Sequence, residues 1–277
     1  FTKISNPSLG TYTWTQVGQD INGESASDYS GRAVALNNQG NIVAIGSHEN
    51  DGNGSASGHV RVYENISGTW TQIGQDIDGE ATADNSGFSV SIDATGDIIA
   101  VGAPYNDGNG SSSGHVRLYT KISDPSLGTY TWTQIGQDID GESAGDQSGY
   151  SVSLSDDGNT VAIGARHNNG NGLNSGHVRV YENIGGSWTQ VGQDIDGESS
   201  LDWSGSSVSM NNQANTLAIG APHNDANGSN SGQVRLFTKI SDPNLGTYTW
   251  TQVGQDIDGV GVANWTGHAV VLSSSTN

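Results

Sequence analysis

Trp188-Thr189-Gln190-Val191-Gly192-Gln193-Asp194-Ile195 is one of five near-copies of a single phrase. The others open at Trp14, Trp70, Trp132 and Trp250, so the spacings alternate, 56, 62, 56 and 62 residues. A fixed period of this size marks a stacked array of one supersecondary unit. The six extra residues of the long repeats lie between Tyr119 and Trp132 and between Phe237 and Trp250, in Lys-Ile-Ser-Asp-Pro-(Ser/Asn)-Leu-Gly-Thr-Tyr. One hairpin alternates in length while the rest is constant, as expected when loops absorb insertions.

Working outward from Trp188, each unit reads as four short strands. Gly149–Leu154 (A) alternates in polarity, and Asn159–Gly164 (B) is β-branched. Gly176–Tyr181 (C) follows an Asn/Gly-rich loop, and Ser187–Gly192 (D) follows Gly185-Gly186. Strands punctuated by Asp-Gly, Asn-Gly and Gly-Gly are hairpin signals, and no stretch carries a helical period. The expected fold is all-β: a β-propeller of four-stranded antiparallel blades, in four full repeats plus terminal partial blades. The blades are expected over 30–77, 86–139, 148–195 and 204–257. Partial-blade strands are expected over 1–21 and 267–273, in a single array 1–277. With no B strand to join the ends, the array is expected to continue beyond this chain, six to eight blades being usual for the class.

The 277 residues carry 9 Lys/Arg against 29 Asp/Glu, a formal charge of −20. Such a polyanion repels nucleic acid and anionic lipid. Cysteine is absent, which excludes disulfides and thiolate metal sites. No apolar run approaches the roughly 18 residues of a membrane helix.

Ser-Gly-x-Ser-Val-Ser-Leu, Val-Ala-Ile-Gly-Ala-Pro and Gly-His-Val-Arg-Val-Tyr together resemble the FG-GAP repeat, which builds the integrin α-subunit propeller and many bacterial and algal surface proteins. Gly-Ala-Pro is intact at 102–104 and 220–222 but altered at Gly164-Ala165-Arg166 and Gly46-Ser47-His48. The family's Phe-Gly appears as Ser30-Gly31, Ser86-Gly87, Ser148-Gly149 and Ser204-Gly205. The resemblance implies an extracellular or cell-surface propeller for adhesion or ligand binding. The family's calcium loop between strands A and B does not transfer. Its equivalents here, such as Asn37-Asn38-Gln39-Gly40 and Asp93-Ala94-Thr95-Gly96, hold too few carboxylates.

Seventeen of the 29 acids fall instead in the five D-to-A connections. They give a candidate metal set of Asp20, Glu24 and Asp28; Asp76, Asp78, Glu80 and Asp84; Asp138, Asp140, Glu142 and Asp146; and Asp194, Asp196, Glu198 and Asp202. Asp-x-Asp-Gly-Glu spaces oxygens around a glycine turn, which suits calcium. The competing reading is that these acids cap turns and pair with the strand-C arginines Arg61, Arg117, Arg179 and Arg235. His59, His115 and His177, replaced by Gln233 in the fourth blade, read as structural, and Thr-Trp-Thr as packing between blades.

Up-and-down connectivity puts the B–C loops and D–A connections on one rim. Two registers there vary freely between blades: Tyr29/Asn85/Gln147/Trp203/Trp265 and Arg32/Phe88/Tyr150/Ser206/His268. The candidate ligand-binding residues are Tyr29, His48, Tyr105, His167, Trp203, His223 and Trp265. Sequons at Asn53, Asn65, Asn109, Asn227 and Asn264 are candidate glycosylation sites. No nucleophile or base breaks the repeat, so no catalytic residue is assigned. The expected function is non-enzymatic recognition of a glycan or extracellular protein, with calcium as cofactor. The alternative is a building block of a surface layer, sheath or filament, whose partners are copies of itself.

Overall fold

The computed structural model describes residues 1–6, 10–126, 128–242 and 247–273, which form strands and turns with no helix among them. A hairpin of β1 (Thr2–Asn6) and β2 (Thr11–Thr15) comes first. Blade 1 comprises β3 (Ala33–Leu36), β4 (Ile42–Ser47), β5 (His59–Ile66), β6 (Thr69–Gln72) and β7 (Ile77–Asp78). Blade 2 comprises β8 (Ser89–Ile92), β9 (Ile98–Ala103), β10 (His115–Asp124), β11 (Thr129–Gln134) and β12 (Ile139–Asp140). Blade 3 comprises β13 (Ser148–Leu154), β14 (Thr160–Ala165), β15 (His177–Ile184), β16 (Ser187–Gln190) and β17 (Ile195–Asp196). Blade 4 comprises β18 (Ser207–Met210), β19 (Thr216–Ala221), β20 (Gln233–Asp242), β21 (Thr247–Gln252) and β22 (Ile257–Asp258).

Each blade is an antiparallel A-B-C-D meander. A fifth, two-residue strand, absent from the sequence reading, turns back onto the start of strand C, as in His177↔Asp196 and Val178↔Ile195. In three blades the isoleucine between the two acids of this strand, Ile77, Ile139 or Ile195, is buried, whereas in blade 4 the same pairing forms around the exposed Ile257. The pairing holds the acids beside strand C.

The core lies between blades. Strand B is buried on both faces over Ile42–Ser47 and Thr160–Ala165. One cluster joins Val178, Val180 and Ile195 of blade 3 to Val208, Leu217, Ile219, Phe237 and Trp250 of blade 4. The glycines of the repeat meet here. A Cβ on Gly46 would overlap the Gly87 carbonyl, and Gly164 meets Gly205 in the same way, so the Ser-Gly of one blade packs against the Gly-Ala-Pro of its neighbour. Strand-A serines add hydrogen bonds across the seam: Ser151 Oγ donates to Gly205 O (2.8 Å), and Ser153 Oγ accepts from Met210 N (3.0 Å).

The tryptophans lock the outer edge. Trp188 Nε1 donates to Ile135 O (2.9 Å) of the preceding blade, and Gln137 of that blade binds the Trp188 backbone at both N and O. The same lock recurs at Trp70, Trp132 and Trp250. Trp14, with no described blade before it, is 67% exposed.

The segment 267–273 follows the path expected of a strand A, because Leu272 N donates to Ser209 Oγ (2.9 Å) as Met210 N does to Ser153 Oγ. It is not a strand, contrary to expectation, since no B strand is there to pair with it. The hairpin β1–β2 pairs only with itself among the described residues. The tips of the two long hairpins, at 127 and 243–246, lie outside the described residues.

Candidate functional site

The rim built from B–C loops and D–A connections is held by a repeated hydrogen-bond set. The last acid of each connection is buried and points inward. Asp146 Oδ2 accepts from Ser143 N and from Asn168 Nδ2, both at 3.0 Å. Asp28, Asp84 and Asp202 do the same with Asn50, Asn106 and Asn224. The loop asparagine Asn171 donates to Gly197 O and Glu198 O, as Asn53 does to Gly79 O and Glu80 O. Asn109 and Asn227 lie in the same register and are likewise engaged through Nδ2. Asn171 is not in a sequon, so this asparagine has a structural role at each position. Asn65 accepts from Gly68 N in a C–D turn, and Asn264 is exposed.

After the inward acids the chain turns through a left-handed residue, Tyr29, Asn85, Gln147 or Trp203, and after the exposed Asn264 through Trp265, with φ between 51° and 56°. Such a conformation is costly for a bulky side chain and persists only where its surroundings enforce it. The turn aims the next residues at the propeller axis. Arg32, Phe88, Tyr150, Ser206 and His268 thereby converge, one per repeat, on a cavity of about 430 Å3. Arg166, Trp203, Pro222, His223 and Trp265 complete its wall.

Aromatic rings form two runs around this cavity. In one, His167 meets Trp203 (5.1 Å between centroids), Trp203 meets His223 (3.8 Å), and His223 stacks on Trp265 (5.8 Å). In the other, Tyr29, His48, Phe88 and Tyr150 follow at 5.7, 5.4 and 4.9 Å, with Tyr105 edge-on to Phe88. The Arg166 guanidinium sits 3.7 Å from the Tyr150 ring centroid and 5.0 Å from that of Trp203, and its Nε donates to Gln147 Oε1. The Arg32 guanidinium lies 4.7 Å from the Phe88 centroid. Burial pulls the pKa of Arg166 below its usual value, and the like charge of Arg32 adds to this. His167 is pushed down to about 4, first by burial, then by Arg166 and His223.

All seven residues expected to bind ligand belong to this aromatic network, but only Trp203, His223 and Trp265 line the cavity. His167 packs against Trp203, while Tyr29, His48 and Tyr105 belong to the ring run through Phe88. The wall residues absent from that expectation were marked by departure from the repeat. Arg32, Phe88, Tyr150, Ser206 and His268 form the second variable register, and Arg166 stands where Pro104 and Pro222 stand in other blades.

The outer acids have other tasks. Asp76, Asp138 and Asp194 each accept from a strand-D glutamine (2.6 Å), and Asp20 accepts from Gln16 (2.7 Å). Glu24, Glu142 and Glu198 pair with Arg61, Arg179 and Arg235 of the next blade at 3.3, 3.5 and 3.8 Å, and Glu80 with Arg117. Burial, then Asp76, raises the pKa of Asp78. The acids of one connection therefore diverge and do not close a single cage. Instead Glu24, His59 and Asp76 meet, as do Glu80, His115 and Asp138, and Glu142, His177 and Asp194. Within each trio the potential ligand atoms lie within 4.8 Å of one another. These three trios could hold a metal ion. Each draws its glutamate from the connection before the blade, a meeting invisible in sequence because 35 residues separate Glu24 from His59.

The FG-GAP repeat model matches residues 76–119, 139–181 and 194–237, each running from the D–A connection to the end of the hydrophobic part of strand C. These blades are FG-GAP repeats. No curated protein matches the sequence. Among solved structures, Sqt1 from Chaetomium thermophilum is 16% identical with a TM-score of 0.49, over 77% of this chain and 45% of that one. Hsv2 from Kluyveromyces lactis is 12% identical with a TM-score of 0.47, over 81% of this chain and 61% of that one. A putative 6-phosphogluconolactonase from Bacteroides uniformis is 11% identical with a TM-score of 0.45, over 84% and 72%. This chain thus spans under half of the Sqt1 chain. In the FG-GAP blades the A–B turns hold no cage. Asp93 Oδ1 is taken up by the backbone N–H groups of Gly96, Asp97 and Ile98, and Asn211 Oδ1 by those of Asn215 and Thr216.

Proposed function

We propose that this chain is a non-enzymatic, extracellular recognition propeller whose axial cavity takes an acidic saccharide. The observation that carries this is a charge reversal. Four of the six arginines repeat once per blade in strand C; the other two, Arg32 and Arg166, both line the cavity. Not one of the chain's 29 acids lines it. Two like charges held close together beside aromatic faces cost energy that a bound anion would relieve. Guanidinium forks fit carboxylate or sulfate, and Trp203 and Trp265 offer flat faces to a sugar ring.

In the cavity wall Ser206 Oγ donates to Trp203 O (2.7 Å). Calcium is not required for this recognition, because the cavity charge is positive; its place would be among the outer acids. The FG-GAP repeats support an extracellular location.

Titration calorimetry against uronic-acid or sulfated oligosaccharides and against their neutral counterparts tests the reading. Binding of the acidic sugars alone, weakened by Arg166→Ala and by salt, is the expected result. Equal binding of neutral sugars, or acidic binding that survives loss of both arginines, would overturn it.

A further inference from the structure

We propose that the blade seams carry binding sites for a zinc-class divalent cation, built from Glu24, His59 and Asp76 and from Glu142, His177 and Asp194. Each site joins two repeats, since the glutamate comes from the connection that precedes the blade and the histidine and aspartate come from the blade itself.

The geometry turns one ligand atom of each residue toward the other two. In the second site Glu142 Oε1 faces Arg179, while Oε2 lies 3.9 Å from His177 Nδ1, with the Asn168 amide 3.4 Å away. Asp194 Oδ1 accepts from Gln190, while Oδ2 lies 3.9 Å from the same Nδ1. The first site repeats the carboxylate placement, with Arg61 on Glu24 Oε1, Gln72 on Asp76 Oδ1, and the remaining oxygens 4.0 and 3.7 Å from His59 Nδ1, although the partnerless ring nitrogen of His59 is Nε2. Hydrogen-bonded partners that orient ligating carboxylates are the usual support of a metal centre.

His177 supplies the independent observation. It is 1% exposed, and its Nδ1 has no hydrogen-bond partner although it is aimed between two carboxylate oxygens. At 3.9 Å neither oxygen makes a hydrogen bond with it, and a buried ring nitrogen left without a partner is unfavourable in either tautomer. A cation about 2.0–2.2 Å from each atom would resolve both defects, drawing together ligand atoms that now lie within 4.8 Å of one another. One imidazole with two carboxylates and an open position suits zinc and its neighbours. Calcium seeks six to eight oxygens and gains nothing from a buried imidazole.

The other two blades act as internal controls. In blade 2 the Nδ1 of His115 is partnerless too, and the difference lies in Arg117, which turns in and binds both oxygens of Asp138 (3.0 and 2.9 Å) as well as Glu80, putting a guanidinium where the ion would sit. In blades 1 and 3 the equivalent arginines donate through Nη2 to the carbonyls of Asn22 and Asp140. In blade 4, Gln233 replaces the histidine, and its Nε2 donates to Glu198 Oε2 (3.0 Å). An amide proton there does what the cation does elsewhere.

Zinc and calcium titration of the chelator-treated full chain, read by calorimetry and metal analysis, tests this. Two zinc ions per chain are expected, with calcium binding at least tenfold weaker. His177→Gln, which copies blade 4, should remove one ion, and His59→Gln the other. Gln233→His should add one, which keeps the test decisive if a loss variant folds poorly. Arg166→Ala should leave the count unchanged. Zinc uptake insensitive to all three histidine-register changes, or calcium binding as tight as zinc, would overturn the proposal.

Discussion

The outer seams of this propeller repeat and its axial mouth does not. At the seam, Trp70, Trp132, Trp188 and Trp250 make the same bond to the preceding blade. At the mouth, the register that opens strand A reads Arg32, Phe88, Tyr150, Ser206 and His268, with no residue used twice. The two regions share one backbone, so the difference lies in what the side chains must meet. A seam residue meets another copy of the same blade and must match it. A mouth residue meets whatever enters the axis, and five different residues present an asymmetric surface.

The largest effect that would test this contrast is at the seam. Trp188→Ala should cost about 3–5 kcal/mol of unfolding free energy, combining lost apolar burial with an orphaned Ile135 carbonyl. Trp14→Ala makes the same chemical change where no described blade precedes it, and should change stability by no more than about 0.5 kcal/mol. Urea unfolding of both variants decides. Equal losses would mean that tryptophan acts within its own blade and that the seam is not the source of cohesion.

A second pair sets an inward acid, Asp146, against a mouth base of the blade that follows it, Arg166. Asp146→Ala leaves Asn168 Nδ2 and Ser143 N unpaired and should cost about 2–3 kcal/mol. Arg166→Ala should leave stability unchanged or slightly higher, since a buried like-charge neighbour of Arg32 is removed. It should instead weaken an acidic ligand roughly 10–100-fold, the worth of one charged hydrogen-bonded contact. If Arg166→Ala unfolds the chain, the cavity arginines belong to the scaffold and the comparison fails.

How much of this was legible follows the same division. The blades, their strand order and the shared rim were readable because a repeated phrase and hairpin turns act over a few residues. Seam packing was readable at Trp188 because one residue recurs at one period. The acids misled, because composition shows a cluster at Asp194, Asp196, Glu198 and Asp202 while the structure sends them in different directions. Asp202 is buried under Asn224, Asp194 faces strand C of its own blade, and Glu198 reaches Arg235 of the next. What decides those directions is the buried Ile195 of the short fifth strand, a two-residue pairing too brief to leave a pattern. The cavity was half legible: the variable registers named its wall, but only the left-handed turn at Tyr29, Gln147 and Trp203 brings them to one axis.

The smallest effect is a pH dependence that both regions share. His59, His115 and His177 at the seams and His48 and His167 at the mouth all have pKa values lowered by burial, His167 to about 4. In the unfolded chain each would protonate near 6.5. The unfolded state therefore binds more protons between pH 6.5 and about 4, and stability rises with pH across that window. The stabilisation is complete above pH 6.5 and is lost as the pH falls towards 4. The raised carboxyls of Asp78, Asp196 and Asp202 act in the opposite sense, but nearer their own lower range. Melting temperatures at pH 7.5, 6 and 5, with chelator present, should fall by several degrees in all. His167→Asn should flatten that slope slightly, by less than one proton, and His177→Gln should do the same at the seam. A melting temperature that rises on acidification would mean that relief of the −20 charge outweighs the buried histidines. The acids, rather than the histidines, would then set the acid limit of the fold.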